Sequence, residues 1–99
     1  MKTVQPGHKY ELENMEEKSN QHLVFIEKED KEGVLTTVCN GTTNEEVLKM
    51  LIDRMNFLQA KAPCRENAIV ITKLEECLMW LEKRTAGKVA RGVEGTSVK

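Results

Sequence analysis

The sequence predicts an α+β chain: a small N-terminal antiparallel β-hairpin or three-stranded meander, followed by a C-terminal antiparallel helical hairpin, the whole assembled as an oligomer. Three observations carry that expectation. Residues 22–28 (HLVFIEK) and 35–39 (LTTVC) are β-branched or aromatic-rich runs separated by a polar stretch ending in Gly33. Apolar residues recur at helical spacing on both sides of Pro63. Each of those helices carries more apolar surface than one pair of strands can cover.

Taken in order, residues 9–12 are expected to add a third strand before a polar stretch at 16–20. The hairpin of 22–28 and 35–39 turns through the polar loop 29–33. Thr43 and Glu46 have the spacing of a capping box, and Glu45 and Glu46 favour a helix N-terminus. Val47, Leu48, Leu51, Met55 and Leu58 then define one face of a first helix running to Ala62. Pro63 pushes its predecessor out of helical conformation and suits the first turn of a second helix, which continues through Ile71, Leu74, Leu78 and Leu81 towards Arg91. Gly92 and Gly95 stop it. The expected organisation is one domain over 1–99, with a strand-rich part at 1–41, the helical hairpin at 42–91 and a glycine-containing tail at 92–99.

A chain of 99 residues buries a modest fraction of its surface, so partners are expected to complete its core. No apolar run reaches the roughly 18 residues of a membrane span, and Lys2 has no apolar segment behind it, so the start does not read as a secretory signal. Cys39, Cys64 and Cys77 match neither a disulfide framework nor a zinc pattern and read as reduced thiols. His8 and His22 have no carboxylate or thiol at a spacing that suggests a metal or catalytic pair. Phosphate-loop, nucleophile-elbow and zinc-protease motifs are missing, so neither a cofactor nor a catalytic residue is expected.

The net charge of −1 hides an asymmetry: residues 1–41 carry 5 basic and 8 acidic groups, and residues 42–99 carry 10 and 8. An anionic partner near the C-terminus fits that distribution. Trp80 shares its side of the second helix with Lys73, Arg84 and Arg91. An aromatic ring flanked by cations can stack a base and pair its phosphates; a tryptophan packed in a subunit interface fits as well. Phe57 and Asn67 flank the corner at Pro63, and an aromatic face beside a carboxamide suits an adenine edge. The competing reading makes Asn67 a cap and Phe57 a subunit contact. Arg65 can meet a phosphate or pair locally. Met50, Ile69 and Met79 lie off the main helix faces and read as subunit interface.

The block of residues 40–48 (NGTTNEEVL), then 63–68 (PCRENA), 71–76 (ITKLEE), 79–85 (MWLEKRT) and 91–96 (RGVEGT) resembles the phage anti-Thoeris sponge family, in its first described type. The resemblance implies a homo-oligomer, a hexamer built from dimers, acting in the cytoplasm of the bacterial host. It implies capture of cyclic ADP-ribose isomers, and in some members of cyclic di- or trinucleotides, without degradation. Carried over by position, Phe57 and Asn67 are expected to stack on and bond a base at a subunit boundary. Arg84 matches a phosphate-contacting arginine. Lys88 stands where a further basic residue is expected, with lysine lacking the planar fork of arginine. Arg91, Gly92, Gly95 and Thr96 resemble the C-terminal segment, where backbone can approach a ligand closely. The alternatives are a small oligomeric protein-interaction module, a binder of long nucleic acid, which the net charge and few aromatic residues disfavour, and an enzyme that hydrolyses the cyclic signal, for which no catalytic group is visible.

Overall fold

The computed structural model describes residues 1–16 and 18–92. They form five strands and two helices: β1 (Lys2–Gln5), β2 (Lys9–Glu13), β3 (Asn20–Val24), β4 (Glu27–Lys31), β5 (Val34–Cys39), α1 (Asn44–Lys61) and α2 (Arg65–Ala90). Two compact units divide the chain, one of Met1–Thr43 and one beginning at Asn44. The expected order, antiparallel strands followed by a helical hairpin, is what is observed. The strands form two sheets, a three-stranded one of order β1-β2-β3 and a separate hairpin β4-β5.

The strand unit departs from the sequence reading at three places. Strand β1 was not expected; it is reached through a turn in which Pro6 and Gly7 (φ 76°) are the central residues and the His8 amide donates to Gln5 O at 3.0 Å. The run 22–28 is two strands, because Phe25 and Ile26 leave the sheet edge for other partners. The Phe25 amide donates to His8 O (2.7 Å) and the Ile26 amide to Thr42 O (2.9 Å), while the Thr42 amide donates to Val24 O (2.9 Å). Finally, the expected five-residue loop is mostly strand: β4 and β5 turn through Glu32 and Gly33 alone. Both have positive φ, 56° and 84°, the backbone that suits the right-handed twist of a two-residue hairpin. Asp30 Oδ1 accepts from the Gly33 amide at 2.8 Å and steadies the turn.

The return of the chain after β5 brings Gly41 hard against the β3–β4 junction. A Cβ built on Gly41 would lie 2.5 Å from Phe25 C, 2.6 Å from Val24 O and 2.7 Å from Ile26 N. Only glycine allows this crossing, because the obstructing atoms are backbone and cannot swing aside. Around the crossing, the Phe25 ring meets the Tyr10 ring edge-on with centroids 5.9 Å apart, and Gln5 Nε2 donates to Glu27 Oε1 at 3.1 Å.

In the helical unit, α1 starts directly after Thr43, as the capping spacing predicts. The corner differs from expectation. Pro63 lies before α2 and the N-cap is Cys64, in extended conformation, whose Sγ accepts from the Asn67 amide at 3.4 Å. Gln59 closes the corner through both ends of its amide: Nε2 donates to Cys64 O and Oε1 accepts from the Cys64 amide, each at 3.0 Å.

The half-buried positions of α2 are Asn67, Ile71, Leu74, Leu78, Leu81 and Lys88, a stripe with alternating steps of four and three up to Leu81. On α1 they include Leu48, Ile52, Met55 and Gln59. Leu51, expected on this face, is more exposed, and Ile52 takes its place. No described residue is fully buried.

Candidate ligand-binding surface

Helical spacing decides which side chains point away from the packed stripe. At about 100° per residue, Phe57 projects roughly 180° from Leu48, onto the face of α1 turned away from α2. It is 58% exposed, and Met50, one heptad earlier, is 57% exposed. On α2, Ile69, Met79 and Trp80 likewise lie off the half-buried stripe, with Trp80 at 57% exposure. Large apolar groups are exposed on both units, among them Val4, Val34 and Val38 in the strands and Met50, Phe57, Ile69, Met79 and Trp80 in the helices.

Each of the two exposed aromatic rings has a lysine over its face. Lys61 Nζ lies 4.9 Å from the Phe57 ring centroid and Lys83 Nζ 4.8 Å from that of Trp80. The attraction is that of a cation for the negative face of the ring. These two lysines are the residues the sequence reading passed over. Helical spacing puts Lys73, Arg84 and Arg91 on the side of Trp80, and the signal that finds Lys61 and Lys83 is the four- or three-residue step from each ring. Lys73 instead reaches Glu76 Oε2 at 3.6 Å.

Asn67 is half-buried in the first turn of α2, on the same stripe as Ile71, and its own amide is the one Cys64 caps. The cap is therefore Cys64, and the carboxamide of Asn67 is not the capping group. Phe57 and Asn67 thus sit near one corner but on different sides of the hairpin, and no described contact joins their side chains. Arg65 lines a shallow groove of about 290 Å³ with Ala68, Ile69, Thr72 and Lys73 along one side of α2. Arg84 is exposed and Lys88 half-buried on the last turns.

Arg91 ends α2. Its backbone amide and its Nε both reach Gly87 O, at 3.1 and 3.2 Å, and the Gly92 amide donates to Val89 O at 3.0 Å with Gly92 at φ 69°. Both residues terminate the helix by satisfying its last carbonyls. Gly95 and Thr96 lie outside the described residues.

Elsewhere, register sets Glu11 opposite His22 across β2 and β3, with Nε2 and Oε1 3.9 Å apart, a proximity not visible from their spacing in the chain. The histidine is 68% exposed on an open strand surface. Among the described residues no group of His, Cys, Asp or Glu could hold a metal ion, and no helix is long and apolar enough to cross a membrane.

Comparison with known proteins bears on this same region. The model of the family described as Acb2/Tad1, hairpin domain, matches residues 21–86, which run from β3 to the later turns of α2. Over 61 residues the chain is 56% identical to a protein of Bacillus phage SBSphiJ7 named Thoeris anti-defense 1. That match covers 61% of this chain and 43% of the phage protein, so the chain spans less than half the length of this relative.

Proposed function

Since the family match covers most of its length, the chain belongs to the Acb2/Tad1 hairpin-domain family, and we propose from this premise that it is a phage anti-defence sponge. In this reading it binds a cyclic ADP-ribose-type immune signal, keeps it intact and withholds it from the Thoeris effector in the bacterial cytoplasm. The observation that carries the reading is the exposed Phe57 ring with Lys61 over it, beside the corner that holds Asn67.

The chemistry follows from those groups. A purine stacks on the Phe57 face, the Asn67 carboxamide bonds its N6 and N7 edge, and nearby cations pair the pyrophosphate. Because Phe57 faces away from α2 and Asn67 lies on the stripe shared with Ile71, a pocket using both takes one from each of two copies. Met50, Ile69 and Met79 supply the apolar surface for such self-association, and a hexamer built from dimers is the assembly proposed. Arg84 and Lys88, with Trp80 nearby, provide a second cationic region suited to cyclic di- or trinucleotides. Arg65, at the groove of α2, is a further phosphate partner. Arg91, Gly92, Gly95 and Thr96 are proposed as further ligand contacts.

A sponge needs no general base. It works by mass action, with sites in excess of the signal and a dissociation constant below the effector's threshold. The test is calorimetric titration of the purified chain with cyclic ADP-ribose isomers and cyclic di- and trinucleotides, followed by heat release and chromatography of the ligand. Tight binding with unchanged ligand recovered is the expected result. Recovery of a linear product would replace the sponge by an enzyme. No binding to any of them would favour a protein-interaction module, the reading the same exposed apolar groups support.

A further inference from the structure

Asn40 precedes Gly41, and this is the one Asn-Gly step in the sequence. Asn40 is exposed, and its Oδ1 accepts from the Gly41 amide at 3.0 Å. The backbone nitrogen that can attack the side-chain carbonyl is thus already beside it, and glycine puts no side chain in the way of ring closure. The other asparagines differ. They precede Met15, Gln21, Glu45, Phe57 and Ala68, whose side chains hinder the attack. Asn44, Asn56 and Asn67 are further held in helix, and Asn14 is engaged with both Ser19 and Gln21.

We propose that Asn40 is a site of spontaneous deamidation and isomerisation, with water as the only co-reactant. The Gly41 nitrogen, deprotonated by hydroxide, attacks Cγ of Asn40. The N–Cγ bond forms, the Cγ–Nδ2 bond breaks, and the side-chain nitrogen leaves as ammonia, giving a cyclic succinimide. Water then opens the ring. Cleavage between Cγ and the Gly41 nitrogen gives aspartate, and cleavage at the main-chain carbonyl gives isoaspartate, in which the chain runs through Cγ.

The place of this step in the fold gives it a structural effect. Isoaspartate adds an atom to the backbone immediately before Gly41, where a Cβ would already lie 2.5 Å from Phe25 C. The crossing at residues 41–42 must shift, and with it the paired bonds between Thr42 and the β3–β4 junction. Ordinary aspartate keeps the backbone length and leaves the crossing intact.

The experiment ages the full chain in warm, mildly alkaline buffer and maps its peptides by mass spectrometry, with isoaspartyl methyltransferase labelling to separate the two products. Conversion at residue 40 ahead of every other asparagine, abolished in Asn40→Gln, is the expected result. Retention of the amide at residue 40, or conversion no faster than elsewhere, overturns the proposal. Hydrogen exchange then reads the effect. The isoaspartate form is expected to lose protection at the Ile26 and Thr42 amides while Asn40→Asp keeps it; equal protection in both would overturn the structural consequence.

Discussion

Gln59 holds Cys64 at both ends of its backbone: the side-chain amide donates to Cys64 O and accepts from Cys64 N, each at 3.0 Å. One side chain on the last turn of α1 thereby fixes the direction in which α2 departs. Gln59→Ala removes both bonds and is expected to destabilise the helical unit by about 1–2 kcal/mol. Gln59→Glu keeps only the acceptor and should fall between the two. Urea denaturation followed by far-ultraviolet circular dichroism measures the difference.

Cys64 caps α2 with a sulfur, a weak acceptor. Serine at the same position offers an oxygen to the Asn67 amide. Cys64→Ser is expected to raise stability by up to about 1 kcal/mol, read as a higher denaturation midpoint at unchanged slope.

Two glycines should respond to alanine with opposite signs. Gly41→Ala drives a methyl group into the backbone of Val24, Phe25 and Ile26 and is expected to cost at least about 1–3 kcal/mol. Gly87 lies inside α2 with nothing within 4 Å of an added Cβ. Gly87→Ala is expected to stabilise by roughly 0.5–1 kcal/mol through helix propensity. Thermal melts of the pair give the contrast directly.

Glu32 is the one non-glycine residue with positive φ among those described. Asparagine tolerates that backbone better and suits the first position of a two-residue hairpin turn. Glu32→Asn should therefore stabilise the β4–β5 hairpin by about 1 kcal/mol, seen as greater hydrogen-exchange protection along both strands.

On the proposed sponge reading, Phe57→Ala removes the stacking face. Loss of a base–aromatic stack is worth about 1–3 kcal/mol, which is a roughly 5- to 150-fold weaker affinity. Asn67→Ala should weaken binding on a similar scale. Both variants are expected to keep the oligomeric state of the parent, checked by sedimentation alongside calorimetry. Unchanged affinity in both would remove them from the site.

The helical half of the chain was legible because its signals are local and repeated: Thr43 and Glu46 at the start, Pro63 at the corner, and Ile71, Leu74, Leu78 and Leu81 at regular steps. The strand half was less so. Strand β1 has Val4 as its one large apolar residue, so no alternation marks it, and the Pro6-Gly7 pair was the signal available. Residues 22–28 read as one strand because nothing in them shows that Thr42 competes for Val24 and Ile26. Which of Leu51 and Ile52 turns inward is settled by the helix packed opposite, since both lie within about 60° of Leu48. The Phe57 and Asn67 positions came from resemblance and corner geometry together. The lysines over the two rings needed the fold to be seen, since lysine is common on any helix and only its side-chain path makes it a partner.

Trp80 is the single tryptophan, and more than half of its surface meets solvent in the isolated chain. The protein thus carries its own optical reporter for the proposed assembly and the proposed ligand. Burial against a second copy would move its emission to shorter wavelength, whereas a nucleobase lying on the ring would quench it. Recorded against dilution and against added nucleotide, one unlabelled emission spectrum separates the two events.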